Sequence, residues 1–359
     1  GYITVTDGSF VYCESSSLDY SNEYIAGVHL ANIANTSEGS YHSDFTSLQF
    51  PVETGMSYNM SLIPWRSNPS RKESWRVWAD YNNDGYPDLL LTHYRKIELY
   101  RNNGDGTFKD ITSETGISDC YDCYNSSALW WDLDKDGDLD LYISDWEGPN
   151  RLYQNNSDGT FSDRTEYFNL GDEGNTWTSI PIDANHDGWP DLYLANDYFR
   201  NKFYLNINGD FFMEATTAYG LEDFGNGMGI TTGDYNNDGF FDIYLTNIAE
   251  FAANPLFTAQ EVGFFENNAA EMGVDSAGWA WGASFFDADL DGDEDLYVVN
   301  GYVYSHHTNK FFKNMVVEGT NTFTELSDMI NVDGPADAMS LSTFDSDNDG
   351  DLDMLVSNT

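Results

Sequence analysis

The apolar positions of the chain come in short runs, and the same runs recur in the same order. An apolar stretch leads into an acidic segment, as in SALWWD from Ser127, WGASFFD from Trp281 and MSLSTFD from Met339. An alternating stretch leaves it, as in DLLLTHY from Asp88, DLYISDW from Asp140, DIYLTNI from Asp242 and DLYVVNG from Asp295. A third stretch such as NRLYQNN from Asn150 follows, then a turn, then GTFSDRT from Gly159. Short alternating runs bounded by Gly, Asn and Asp predict four strands per unit. Helical periodicity is nearly absent, so the chain reads as all-β. A single four-stranded antiparallel sheet of this length cannot bury both its faces, and radial stacking of such sheets into a β-propeller is the stable solution.

The acidic segments themselves repeat. They are DYNNDGYPD from Asp80, DLDKDGDLD from Asp132, DANHDGWPD from Asp183, DYNNDGFFD from Asp234, DADLDGDED from Asp287 and DSDNDGDLD from Asp345, all fitting D-x-[DN]-x-[DN]-G-x-x-D. Their starts lie 52, 51, 51, 53 and 58 residues apart, which makes the chain an internal repeat with one acidic loop per unit. A cation of calcium's size takes six to eight oxygens at about 2.3–2.6 Å, and side chains at positions 1, 3 and 5 of a tight loop converge if a glycine makes the sharp turn. The expected ligands are Asp80, Asn82, Asp84 and Asp88; Asp132, Asp134, Asp136 and Asp140; Asp183, Asn185, Asp187 and Asp191; Asp234, Asn236, Asp238 and Asp242; Asp287, Asp289, Asp291 and Asp295; Asp345, Asp347, Asp349 and Asp353. Position 7 would add a backbone carbonyl, and the aspartate at position 9 stands where an EF-hand has a more distant glutamate. Asp, Asn and Gly are also common turn residues, so one copy alone reads equally as a solvated acidic turn. Six copies point to about six bound Ca²⁺. Magnesium fits less well, because it gives up its water reluctantly.

Charge narrows the partners. The chain holds 61 Asp plus Glu against 15 Lys plus Arg, a formal charge of −46. Six divalent ions would still leave it strongly acidic, which disfavours nucleic acid and anionic membranes. No apolar run approaches the roughly 18 residues of a membrane span, and the chain opens on Gly1 without a leader, which suggests a processed or partial chain. Calcium levels high enough to fill many such loops are an extracellular condition, so a secreted or cell-surface location is expected. The three cysteines, Cys13, Cys120 and Cys123, agree with this weakly.

The loops followed by NRLYQNNSDGTF resemble VCBS/FG-GAP repeats, over roughly Trp75 to Thr359. The resemblance implies the calcium-bearing β-propellers of integrin α subunits and many secreted bacterial proteins. Residues 12–84 resemble, more loosely, a GEVED-type extracellular β module, whose closing Trp-Arg-Val-Trp segment runs into the first loop. The gap from the sixth loop around the ring to the first equals about two repeat lengths, which gives seven blades: six with loops and one, from residues 14–74, without. Six blades with a small independent N-terminal β-domain is the alternative. In GYITVTDGSF, residues Tyr2, Asp7, Gly8, Ser9 and Phe10 match the register of Tyr100, Asp105, Gly106, Thr107 and Phe108. Residues 1–13 are therefore expected to complete the last blade, either as a clasp within one molecule or as a strand donated to another.

Other candidate chemistry is thin. Cys120 and Cys123 read as a small-loop disulfide, a half zinc site or a redox pair; no second C-x-x-C completes a zinc site, and a local disulfide is the favoured reading. His306 and His307 read as an exposed loop pair and His186 as solvent-facing. No G-x-S-x-G, H-E-x-x-H or phosphate loop is present, and nearly every close carboxylate pair falls inside a loop, so an enzyme is not expected. Trp78, Trp131, Phe286 and Phe344 read as blade packing. Trp146, Tyr198, Phe199, Phe251, Tyr302 and Tyr304 fall in loops after the second strand, where an exposed ring can stack on a sugar or a partner protein. Sequons stand at Asn35, Asn59, Asn125 and Asn155. The expected role is structural or adhesive, at a cell surface or in a matrix or filament, with a protein or glycan partner and with self-assembly through the N-terminal strands open. A lectin using the loop aromatics is the alternative, and a polysaccharide-active enzyme a more distant one.

Overall fold

The computed structural model describes residues 58–60, 74–119, 123–248, 253–260, 263–301, 307–330, 332–333, 338–345 and 349–358. Within these, the strands fall into six antiparallel sheets. The first sheet contains β1 (Tyr58–Met60), β2 (Ser74–Ala79), β3 (Asp88–His93), β4 (Lys96–Asn102) and β5 (Phe108–Asp110). The second contains β6 (Asn125–Trp131), β7 (Asp140–Asp145), β8 (Arg151–Asn155) and β9 (Phe161–Asp163); the third β10 (Thr176–Ile182), β11 (Asp191–Asn196), β12 (Lys202–Ile207) and β13 (Phe211–Glu214). The fourth contains β14 (Gly227–Gly233), β15 (Asp242–Asn247), β16 (Leu256–Gln260) and β17 (Phe264–Asn267); the fifth β18 (Ala280–Phe286), β19 (Asp295–Asn300), β20 (Lys310–Asn314) and β21 (Phe323–Glu325); the sixth β22 (Ala338–Phe344) and β23 (Asp353–Asn358). Single-turn helices follow β5, β9, β17 and β21.

The strand order within each sheet is the order in the chain, and the first strands of successive sheets, from β2 through β6, β10, β14 and β18 to β22, lie against one another. This is the blade arrangement of a β-propeller. Burial falls from the inner to the outer strand: β6 and β7 are buried throughout, whereas outer strands such as β13 and β17 expose all but one residue. The segment expected to form a further blade, residues 14–74, lies outside the described residues apart from Ser74 and β1. β1 pairs with β2 at the inner edge of the first sheet and touches β22. Residues 1–13, expected to complete the sixth sheet, also lie outside.

The core is a series of layers between neighbouring sheets, and the second strands explain how. In β11, Leu192 and Leu194 pack towards the second sheet while Tyr193 packs towards the fourth. In β7, Leu141 and Ile143 face the first sheet and Tyr142 the third. The alternation separates two buried faces, so both sets of positions are apolar. Each tyrosine hydroxyl still finds an acceptor in the segment leading to the next sheet: Tyr142 donates to the Leu170 carbonyl (2.8 Å), Tyr193 to Leu221 (3.2 Å), Tyr244 to Val274 (2.8 Å) and Tyr297 to Val332 (2.6 Å). A buried phenol needs such a partner.

The first strands of the second to sixth sheets each carry a register shift near their start. The unpaired residues include Trp177, Met228, Trp281 and Met339, and these four gather in one cluster bordered by Tyr124, Trp146, Ile248 and Trp279. A bulge re-aims a side chain. In this fold it turns one residue from each of β10, β14, β18 and β22 into a shared plug at the end of the strands away from the acidic loops.

Candidate metal-binding loops

Each acidic loop joins the first strand of a sheet to the second, counting the first sheet from β2, so the loops share one rim. Their local folding follows from the sequence. The position-1 aspartate accepts two backbone N–H bonds, from positions 5 and 6: 3.0 and 2.8 Å at Asp80, 3.1 and 3.1 Å at Asp132, 3.1 and 2.8 Å at Asp183, 2.9 and 2.9 Å at Asp234, 3.1 and 3.0 Å at Asp287, 3.2 and 3.0 Å at Asp345. The position-6 glycine has φ between 83° and 98° in all six loops, a region only glycine enters without strain. Position 5 accepts the N–H of position 7, as Asp187 does from Trp189 at 2.8 Å. These bonds curl the side chains at positions 1, 3 and 5 together. Carboxylate oxygens of Asp132, Asp134 and Asp136 lie within 4.8 Å of one another, and so do those of Asp287, Asp289 and Asp291. In the other loops position 3 is an asparagine (Asn82, Asn185, Asn236), or, at Asp347, lies outside the described residues.

Position 9 is set apart by burial. Asp88, Asp140, Asp191, Asp242 and Asp295 are at most 1% exposed. Each begins a second strand and accepts, through Oδ1, the N–H of the third strand beside it: Asn102 (2.7 Å), Asn155 (2.8 Å), Asn206 (2.7 Å), Ala259 (2.8 Å) and Asn314 (2.7 Å). Oδ2 of Asp140, Asp191 and Asp295 takes the N–H of position 2, whereas Oδ2 of Asp88 and of Asp242 is buried with no hydrogen bond. Desolvation raises all five carboxyls, to about 7 for Asp88 and Asp191, about 8 for Asp140 and Asp242 and about 6 for Asp295; the backbone bonds oppose the rise, and the neighbouring loop acids add to it. A buried carboxylate with an orphaned oxygen beside further oxygen donors suits a hard cation. The all-oxygen donor set suits calcium rather than zinc.

Adjacent loops touch through position 4, the variable one, which has positive φ in five loops (Asn83, Lys135, His186, Asn237, Leu290). Asn83 Nδ2 donates to Asp138 Oδ1 (2.8 Å) and to the Gly137 carbonyl (3.2 Å). Lys135 Nζ lies 4.5 Å from the Trp189 ring centre, the His186 ring 4.5 Å from that of Phe240, and Asn237 Nδ2 3.3 Å from the Gly292 carbonyl. His186 stays exposed, as expected, with one edge of its ring against Phe240. The turn at position 4 throws its side chain onto position 6 or 7 of the next loop.

The asparagine that ends the third strand has a role that its place in the LYxN pattern did not reveal. Asn155 Nδ2 donates to the Leu139 carbonyl of its own loop (3.1 Å) and to the Tyr81 carbonyl of the preceding one (2.9 Å). Asn206 does the same with Pro190 (3.0 Å) and Leu133 (2.8 Å), and Asn314 with Glu294 (3.0 Å) and Tyr235 (2.6 Å). These amides fasten the first loop to the second, the second to the third and the fourth to the fifth. The signal was present as an Asn recurring just after the aromatic of each third strand; the fourth sheet has Ala259 there. Two of the sequons are thereby structural. Asn125, 2% exposed, donates to the His93 and Lys96 carbonyls, and Asn155 is 6% exposed, so neither amide is open to a glycan in the folded chain.

The remaining expectations divide. Trp131 and Phe286 are buried as blade packing. Trp146 and Tyr198 join Tyr94 and Tyr124 in a run of rings with centroids 6.0–6.4 Å apart, with Tyr198 70% and Phe199 54% exposed. Phe251, Tyr302 and Tyr304 lie outside the described residues. His307 is half-buried, its Nδ1 accepting the Trp279 N–H at 2.9 Å, rather than an exposed loop residue. Cys123 is disulfide-bonded; Cys120 and Cys13 lie outside the described residues. No helix among the described residues is long and apolar enough to cross a membrane.

Comparison with known proteins agrees with this geometry. The FG-GAP-like repeat family matches residues 80–143, 132–194 and 183–245, taking in the first four loops. Cartilage acidic protein 1 of Xenopus tropicalis is 31% identical over 182 residues, 47% of this chain and 28% of that protein, and its Homo sapiens counterpart is 30% identical over 182 residues, with 47% and 27% covered. The matched region thus spans under a third of those relatives. Among solved structures, an Agrocybe aegerita lectin specific for non-reducing terminal N-acetylglucosamine aligns with a TM-score of 0.41 at 18% identity, over 70% of this chain and 64% of its own. The chain therefore carries FG-GAP-like repeats, folded as successive blades of a β-propeller.

Proposed function

We propose that this chain is an extracellular, calcium-stabilised β-propeller with a structural or adhesive role, and not an enzyme. The observation that carries this is the buried aspartate at position 9 of five loops, held against further oxygen donors where a bound cation would balance the charge. Calcium would act as a cross-link, taking the side chains of positions 1, 3, 5 and 9 and fixing the junction of two strands. The family implied by the repeats and the name of the cartilage relatives both support an extracellular setting. Close carboxylates are absorbed in the loops by backbone hydrogen bonds, which supports a non-catalytic reading. Equilibrium dialysis against ⁴⁵Ca tests the proposal: several ions per chain are expected, and no binding at millimolar calcium would overturn it.

A glycan-binding role is the second reading, supported by the aromatic run from Tyr94 to Tyr198 on the rim opposite the loops. A glycan array in calcium would show saturable binding to a defined sugar, abolished by Tyr198→Ala, if that reading holds. Uniform silence would leave the structural role.

A further inference from the structure

Among the described residues, the fifth loop differs from the others in already holding a cation. Lys313, in β20 directly before the stapling Asn314, extends its ammonium into the loop. There it contacts Asp289 Oδ2, lies 2.9 Å from Asp291 Oδ2, and lies 3.1 Å from Oε1 of Glu318. Asp289 and Asp291 are positions 3 and 5, the side chains that would take the metal. The matching residues of the first four sheets are Arg101, Gln154, Leu205 and Thr258. Gln154 reaches its loop as a neutral donor, 2.7 Å from Asp134 Oδ2, and Arg101 makes no ion pair among the described residues. A second observation sets the site apart: carboxylate oxygens of Asp291, Asp293 and Glu318 lie within 4.8 Å of one another, and Asp293, 1% exposed, has a buried Oδ1 with no hydrogen bond. The fifth loop thus has more carboxylate than its lysine satisfies.

We propose that Lys313 is a built-in competitor for the metal of the fifth loop, so that this loop takes calcium only when the ammonium is displaced. The inference rests on the reading of the loops as calcium sites. Calcium binds oxygen at about 2.3–2.6 Å. An ion drawn to Asp289 and Asp291 would occupy the space the ammonium holds, and two like charges cannot share it. The tethered lysine is always present at high local concentration, so calcium must break its ion pairs before binding. The fifth loop is then the weakest calcium site of the array and fills last. The spare Asp293 and Glu318 oxygens are available to the incoming ion once the ammonium has moved.

Calcium titration of the full chain, followed by native mass spectrometry and calorimetry, tests this with Lys313→Gln, which copies Gln154, and with Lys313→Met should the first fold poorly. Lys310→Met, which removes a more exposed pair with Glu325, is the control. The expected result is one more tightly bound ion in the Lys313 variants than in the wild type, or a tightening of the weakest site by about tenfold or more, corresponding to ~1.4 kcal/mol. In chelator the same variants should melt below the wild type, and calcium should restore them. If the wild type binds calcium and the Lys313 variants bind the same number with the same affinities, this inference fails and the loop reading stands. If neither protein binds calcium, the loop reading itself fails and carries this inference with it.

Discussion

At the scale of the residue, the position-9 aspartate couples metal, proton and fold. Without metal its folded carboxyl is raised above the ordinary value of 3.8, to between about 6 and about 8 in the five described cases. The folded state therefore holds a proton that the unfolded state releases. Stability from this source is full below about pH 4 and is lost as pH rises through 6 to 8. Burial raises Asp145, Asp197 and Asp223 at the other end of the sheets in the same direction. Calcium reverses the trend, since it requires the deprotonated form. In chelator, then, the melting temperature should fall from pH 5 to pH 8, and in calcium that fall should flatten or invert; parallel profiles in the two conditions would refute the coupling. Asp242→Asn separates the terms, because its Oδ1 keeps the Ala259 bond while the amide removes the buried group that must lose a proton. It should raise the melting temperature in chelator at pH 7.5 and lower the gain from calcium.

Elements bring two further tests, one for the loops and one for the staples between them. Asp136→Ala removes a position-5 ligand and should cost one calcium ion. Asp138→Ala leaves the position-7 carbonyl in place and should keep the ion while losing the bond from Asn83 Nδ2 and that from Ser157 Oγ. Equal loss of calcium from both would contradict the assigned geometry. Asn206→Ala strands the buried Leu133 and Pro190 carbonyls and should destabilise by about 2–4 kcal/mol in chemical denaturation, with or without calcium; Asn103→Ala, exposed, should cost under about 0.5 kcal/mol. These elements also show what the chain made legible. The four-strand unit and the loop boundaries follow from periodicity and the acid spacing, because local turn chemistry fixes both. The staples and the loop-to-loop contacts were not legible, because they join residues more than fifty positions apart, and a polar residue at a strand end looks the same whether it faces water or a neighbouring carbonyl. His186 illustrates the point, since its contact with Phe240 depends on a positive φ that sequence does not display.

At the scale of the whole molecule, charge is the governing quantity. The chain carries −46, and much of the acid is concentrated on one rim, in loops that touch each other in series. Packing between sheets and the bulged aromatic plug must hold this rim together against its own repulsion, and bound calcium would offset part of that load. The further blade expected from residues 14–74 and the completion of the sixth sheet expected from residues 1–13 fall almost wholly outside the described residues, in a part of the sequence without acidic repeats, where the pattern has least to say. The central claim is tested most directly by thermal unfolding of the intact chain in chelator and across a calcium titration. Linkage gives roughly 2.7 kcal/mol for each site held at a hundred times its dissociation constant, so several sites should raise the melting temperature by on the order of 10–20 °C, increasing with calcium concentration. A melting curve that calcium leaves in place, at concentrations up to several millimolar, would contradict it.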